Sequence, residues 1–375
     1  MRRYDCYQAL APKLTDELVI ANLANTSTEW RAVRPSRANL YFVGMGMVTP
    51  YATGLALALP RRRVLAFDGD GGILLDLSAL GTLAQTGPRN LTLVIFDNEG
   101  YVSTGPWRSA VSLTAGPVDL EAVARGCGLK TVRTVRKVPE FVEAVEEGLR
   151  SGPGPTVVIA KIDAGQAFAG TMPMDAKENK YAFVRHIEEV EGITILRPSA
   201  KEHGAPPPPE PPLRPAAEGD DFAEALHRGV KESGVNFVTG LPCSGLARAQ
   251  DLCLQDPAIT YIGVANEGTG IGLCAGAWLG GKRPAALMEN LGLLVATNAL
   301  LRGNATFGIP TLILLEYRGD AGEGSPSRAP GRPREGRHRG RPGPPARRQG
   351  PGGARRLDLD TPSPLPRRLP MSRHS

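Results

Sequence analysis

Short apolar runs alternate with amphipathic stretches along the chain. Residues 17–22, 64–67, 91–96, 131–135 and 156–162 are rich in β-branched and other apolar side chains, without the strict polar alternation of a half-exposed strand. That pattern suits strands buried on both faces of a parallel sheet. Between the second and third runs, residues 74–85 place Leu74, Leu77, Leu80, Leu83 and Ala84 on one helical face, so the segment predicts a strand, a crossover helix and a strand. A second set of runs follows at 235–239, 259–262, 285–288 and 311–315, with an amphipathic helix from about Asp221 and a small-residue helix over 268–279. The chain therefore reads as α/β, with two doubly wound parallel-sheet domains.

The breaks in this pattern set the boundaries. Residues 1–168 form the first domain and 169–204 a helical arm. Residues 205–219 are proline-rich, and a polyproline II segment of that length spans roughly 40 Å at about 3.1 Å per residue. The second domain covers 220–324, and 325–375 is a tail with no core-forming pattern.

The first strand–helix–strand unit carries the candidate chemistry. Gly69, Asp70, Gly71 and Gly72 follow one predicted strand and Asn98 follows the next, which puts them at the carboxyl ends of adjacent strands, where open α/β sheets bind ligands. Glycines at a helix N-terminus let backbone N–H groups approach an anion. One carboxylate and one amide oxygen suit Mg²⁺, so a diphosphate held through that hard cation is the implied ligand.

Gly69-Asp70-Gly71, 26 further residues, then Asn98 with Gly100 two positions on resembles the cofactor-anchoring motif of thiamine-diphosphate enzymes. That resemblance implies the thiamine-diphosphate-binding fold, with Asp70, the Asn98 side chain and the Gly100 carbonyl as Mg²⁺ ligands. The stretch 260–290 is similar to the pyrimidine-binding domain of the same superfamily, which assigns Glu267 as the catalytic glutamate that exchanges a proton with the aminopyrimidine. By itself Glu267 also reads as a carboxylate favoured at a helix N-terminus. Residues 43–60 resemble the segment in which Met45, between Gly44 and Gly46, wedges the cofactor into a bent shape; the alternative for Met45 is core packing.

The domain order, 97–105, 240–246 and 314–319 resemble sulfopyruvate decarboxylase, with its β and α subunits fused in that order, and phosphonopyruvate decarboxylase. The activity implied is decarboxylation of a 2-oxo acid with a second anionic group, sulfopyruvate first and phosphonopyruvate next. Thr104, within Ser103-Thr104-Gly105, stands where some larger decarboxylases of this kind place a carboxylate, which would repel such a group, whereas the Ser103 and Thr104 hydroxyls suit it, with Arg318 and Lys282 as cationic candidates. Plain alternatives are a turn for the two hydroxyls and solvated surface charge for Arg318 and Lys282. The resemblance further implies a site shared between chains, hence a homodimer or homotetramer. Leu291 stands where the family has a polar residue. The rival functions are an acetolactate-synthase-like carboligase and a catalytically impaired cofactor-binding protein.

Composition adds location and partners. The chain is 41% hydrophobic over 375 residues, enough for two cores, with no apolar run long enough to span a bilayer and no signal-peptide pattern at the start. The five cysteines are widely spaced without a metal-ligand pattern. A cytoplasmic protein with reduced thiols and no membrane partner is expected. Thirteen arginines against three acids give 325–375 a charge of +10, which leaves −4 for 1–324 out of the net +6. The tail's lack of Ile, Val, Phe, Tyr and Trp predicts disorder, and it fits out-of-frame translation of a GC-rich gene with a truncated second domain. Nucleic acid is not an expected partner, since no aromatics accompany the basic residues.

Overall fold

The computed structural model describes residues 1–104, 110–150, 152–167, 169–196 and 221–317, with Thr104 described by its backbone alone. The 205–219 linker, Arg318 and the 325–375 tail lie outside the described residues. In chain order the strands are β1 (Leu18–Asn22), β2 (Asn39–Val43), β3 (Val64–Gly69), β4 (Leu91–Asp97), β5 (Thr131–Val135), β6 (Thr156–Lys161), β7 (Phe237–Gly240), β8 (Thr260–Gly263), β9 (Pro284–Glu289) and β10 (Leu312–Glu316). The helices are α1 (Arg3–Leu10), α2 (Asn25–Val33), α3 (Val48–Ala58), α4 (Asp70–Leu75), α5 (Ser78–Thr86), α6 (Leu120–Gly126), α7 (Val138–Leu149), α8 (Ala176–Glu191), α9 (Phe222–Glu232), α10 (Ala247–Gln255), α11 (Glu267–Leu279) and α12 (Asn290–Val295).

Two parallel sheets result, with strand orders β2-β1-β3-β4-β6-β5 and β10-β9-β7-β8. In β3 and β4 alternate residues serve opposite faces: Leu65, Phe67, Val94 and Phe96 join Tyr7 and Trp30 in one core, while Val64, Ala66, Leu93 and Ile95 join residues of α3 and α5 in the other. Rings of Tyr7, Trp30, Phe67 and Phe96 pack with centroids 5.0–5.8 Å apart. Burial on both sides explains why these strands read as continuous apolar runs. No described helix is long and apolar enough to cross a membrane.

The second core face continues into α11, whose Ile271, Cys274 and Leu279 belong to the same apolar cluster as Val48, Leu55 and Leu80. Helices α3 and α11 approach so closely that a Cβ on Gly54 would lie 2.1 Å from the Leu273 carbonyl oxygen, and one on Gly276 2.0 Å from that of Tyr51. Gly54→Ala is therefore expected to force the helices apart and cost about 3 kcal/mol, near the upper end for overpacking. Urea denaturation checks this, and an unchanged midpoint would mean that the two helices do not pack so tightly.

The sequence pattern misplaced two features. β2 was not among the expected strands; it pairs with β1, which shifts register between Ile20 and Asn22. The expected 74–85 helix is two helices, because α4 begins at Asp70 and stops at Leu75. The break leaves Leu77 38% exposed and frees Asp76 for the contact described below.

Candidate active site

Sheet order fixes where a ligand can enter. From β1 the chain crosses to β2 on one side, and from β3 to β4 on the other, so the crevice at the carboxyl ends of β1 and β3 is a topological switch point. A cavity of about 80 Å³ lies there, lined by Asn22, Asn25 and Thr26 after β1, by residues 69–72 after β3 and by Asn98, Gly100 and Ser103 after β4. Ala24, Phe42 and Glu99 are the non-glycine residues with positive φ among those described, at 57°, 61° and 61°. Each sits at the carboxyl end of a strand on this side, and such conformations cost about 1–3 kcal/mol and concentrate at functional sites.

Asp70 is the first residue of α4 and only 3% exposed. The Thr114 hydroxyl lies 3.1 Å from Asp70 Oδ2 and 2.8 Å from Asp97 Oδ1; having one proton, it donates to only one of them at a time. Burial, aided by Asp97, pushes the Asp70 carboxyl above its ordinary range. The Asn98 amide lies between Asp70 Oδ1 and the Gly100 carbonyl. Turned nitrogen-inward it donates to them at 3.3 and 2.8 Å; turned oxygen-inward it brings three oxygens together, which a cation makes favourable. One carboxylate, one amide and one carbonyl form a hard-oxygen donor set that fits Mg²⁺. Among the described residues there is no group of three or more His, Cys, Asp and Glu able to hold a metal, so this mixed set is the metal candidate.

Asp68, beneath the cavity, accepts from Asn22 Nδ2 at 2.9 Å, Gly69 N at 2.8 Å and the Thr49 hydroxyl at 3.3 Å. Burial pushes its carboxyl up to about 7.

The second sheet supplies Glu267, first residue of α11 and 7% exposed. Asn266 caps the helix, its side chain accepting from Gly268 N at 2.7 Å and Thr269 N at 3.3 Å. The Glu267 carboxylate rests on α12, where a Cβ on Gly292 would come within 2.6 Å of Oε1. Two contacts tie this end to the first sheet. Thr269 donates to Asp76 Oδ2 at 2.6 Å while Ser78 donates to Asp76 Oδ1 at 2.6 Å, and Asn298 Nδ2 donates to the Met45 carbonyl at 3.2 Å. Asp76→Ala removes a buried acceptor from two hydroxyls and is expected to cost about 1–3 kcal/mol. A thermal or urea midpoint equal to the parent's would show that the contact does not hold the two halves.

Of the sequence candidates, the structure gathers Met45, Gly69, Asp70, Gly71, Gly72, Asn98, Gly100 and Ser103 around the one cavity. Met45 is half-buried, and it is Met47, 3% exposed, that fills the core. Gly44 lines a separate apolar cavity of about 430 Å³ with Phe42 and Arg302, Gly46 packs under Leu75 and Asp76, and Glu267 is not part of the cavity wall. Lys282 lines a different cavity, with Lys180 and Trp278. The Thr104 side chain and Arg318 lie outside the described residues. Sequence reasoning missed Arg3, Asn22 and Asp76; the polar Asn22 closing an apolar strand was the one local signal.

Residues 23–160 match the family model of the thiamine pyrophosphate enzyme, C-terminal TPP binding domain. The chain is 34% identical over 195 residues to the sulfopyruvate decarboxylase β subunit of Methanothermobacter thermautotrophicus, covering 52% of this chain and 98% of that one. It is 41% identical over 101 residues to the α subunit from Methanococcus maripaludis, covering 27% of this chain and 60% of that one. To the phosphonopyruvate decarboxylase of Streptomyces viridochromogenes it is 33% identical over 157 residues, 42% of this chain and 38% of that one.

Proposed function

The chain belongs to the sulfopyruvate decarboxylase family of thiamine pyrophosphate enzymes, joining both subunits in one polypeptide, and from that premise we propose that it decarboxylates a 2-oxo acid carrying a second anionic group. It is a thiamine-diphosphate-dependent carboxy-lyase, with sulfopyruvate as the first substrate and phosphonopyruvate as the next. The observation that carries this reading is the convergence of Asp70, Asn98 and Gly100 oxygens at the switch point, in a chain that also packs the Glu267 helix against the same half.

Asp70, the Asn98 side chain and the Gly100 carbonyl would hold Mg²⁺, and N–H groups at residues 70–72, at the start of α4, would receive the diphosphate. When bound, thiamine diphosphate supplies a nucleophilic carbon and an electron sink for the pair released with CO₂. Glu267, packed against Gly292 at the start of α11, would exchange a proton with the pyrimidine. Ser103, exposed at the cavity mouth, offers a hydroxyl where a carboxylate would repel the substrate's second anion.

Assembly as a homodimer or homotetramer and a cytoplasmic location belong to the same proposal. The α3–α11 contact lies within one chain, so that contact alone does not require a second copy. The domain limits proposed are 1–168 and 220–324, with the arm at 169–204. Product analysis tests the reaction class: aldehyde from sulfopyruvate is expected, and acetolactate from pyruvate as the main product would replace the proposal with carboligation.

A further inference from the structure

A charged pair inside the first core faces the cavity without having been assigned a task. Arg3, the first residue of α1, is 8% exposed and Glu29 of α2 is 1% exposed. They form a fork: Nε donates to Oε2 at 2.9 Å and Nη2 to Oε1 at 3.1 Å. Glu29 Oε1 also accepts from Ala167 N at 2.9 Å, and the guanidinium carbon stands 6.0 Å from the Phe96 ring centroid. Glu29 is thereby fixed from a second side and the guanidinium plane is set.

Guanidinium carries five N–H donors, and the fork uses two of them. No other described residue accepts from Arg3. Arg3 lines the same cavity as Gly71, Asn98 and Ser103, and is the only cationic side chain among the described residues that do so. A buried ion pair rarely stabilises a fold more than apolar residues of the same volume would, whereas a fixed Arg fork is suited to planar two-point recognition of a tetrahedral oxyanion.

We propose that Arg3, oriented by Glu29, binds a tetrahedral oxyanion in this cavity. Two sources share that chemistry under the function proposed above: the terminal phosphate of the cofactor and the sulfonate or phosphonate of the substrate. If the substrate's anion is the ligand, Arg3 is the cation sought from sequence in Arg318 and Lys282.

The test uses the full chain and direct binding. Affinities for inorganic diphosphate with Mg²⁺, for sulfoacetate and for acetate are measured by calorimetry, in the parent and in the double variant Arg3→Met/Glu29→Gln, which removes both buried charges together. Weakening of diphosphate alone by tenfold or more assigns Arg3 to the cofactor's phosphate; the same loss for sulfoacetate alone, with acetate unchanged, assigns it to the substrate's anion. A folded double variant with both affinities intact overturns the proposal, as does a parent that binds neither probe. Should the double variant melt far below the parent, Arg3→Lys replaces it: an ammonium cannot fork Glu29 and a second anion at once, so a tenfold loss is again expected and unchanged affinity overturns the assignment. Failure to release CO₂ from any 2-oxo acid, with these affinities intact in the parent, would sink the proposed function and leave this assignment open to the same binding readout.

Discussion

Glu267→Gln is expected to lower CO₂ release from sulfopyruvate by roughly 10²–10⁴-fold, the usual range for losing a proton-transferring side chain, while the protein keeps its fold and its Mg²⁺-dependent affinity for diphosphate. The separation follows from the architecture. Glu267 starts α11 in the second half, whereas the cavity of Asp70, Asn98 and the 69–72 backbone is built wholly from the first. Glutamine keeps the volume against Gly292, where a Cβ would already sit 2.6 Å from Oε1, so no cavity or overlap accompanies the change. A decrease in rate shared with a loss of diphosphate binding would point to a structural role for this residue, and an unchanged rate would remove it from the chemistry.

Asp70→Asn should act in the opposite way on the two states of the protein. Burial disfavours the ionised carboxyl, and its pKa is raised in the fold; such a group lowers stability as pH rises from its unfolded pKa through the raised folded one, and the full cost then stays constant at higher pH. Without cofactor the asparagine variant is therefore expected to be at least as stable as the parent at neutral pH. With Mg²⁺ and thiamine diphosphate the parent should gain about 2.7 kcal/mol at a ligand concentration a hundredfold over Kd, and the variant little of it, since the one formal negative charge among the three proposed oxygen donors is gone. Thermal melting with and without the two ligands reads both effects. Equal ligand-induced shifts in the two proteins would take Asp70 out of the metal site.

The two parallel sheets were legible because β3 and β4 are buried on both faces and so read as unbroken apolar runs, with Asp70 and Asn98 immediately beyond them. The helix break at Asp76 was not legible: Leu74, Leu77 and Leu80 keep helical spacing straight across it, while the Asp76 backbone leaves the helical region at φ −141° and ψ 75°. Asp76 takes its role from Thr269, 193 positions away. Arg3 was hidden for a similar reason, since its partner Glu29 is 26 residues on and both stand in segments of ordinary surface-like polarity. Met45 and Met47 are two residues apart and carry the same side chain; only the fold tells which one points to the core.

Leu291 replaces the polar residue that the sequence resemblance leads one to expect, and it is 42% exposed on α12, beside Leu294 at 70%. Its neighbour Gly292 is the residue that contacts Glu267, so the support for the glutamate does not depend on the side chain at 291.

The most direct measurement is the yield of CO₂ and aldehyde from sulfopyruvate by the purified full chain, with Mg²⁺, in the presence and absence of thiamine diphosphate. One CO₂ and one sulfoacetaldehyde per substrate, formed only with the cofactor, is the expected result. Saturable binding of thiamine diphosphate with no CO₂ from sulfopyruvate or phosphonopyruvate would contradict it.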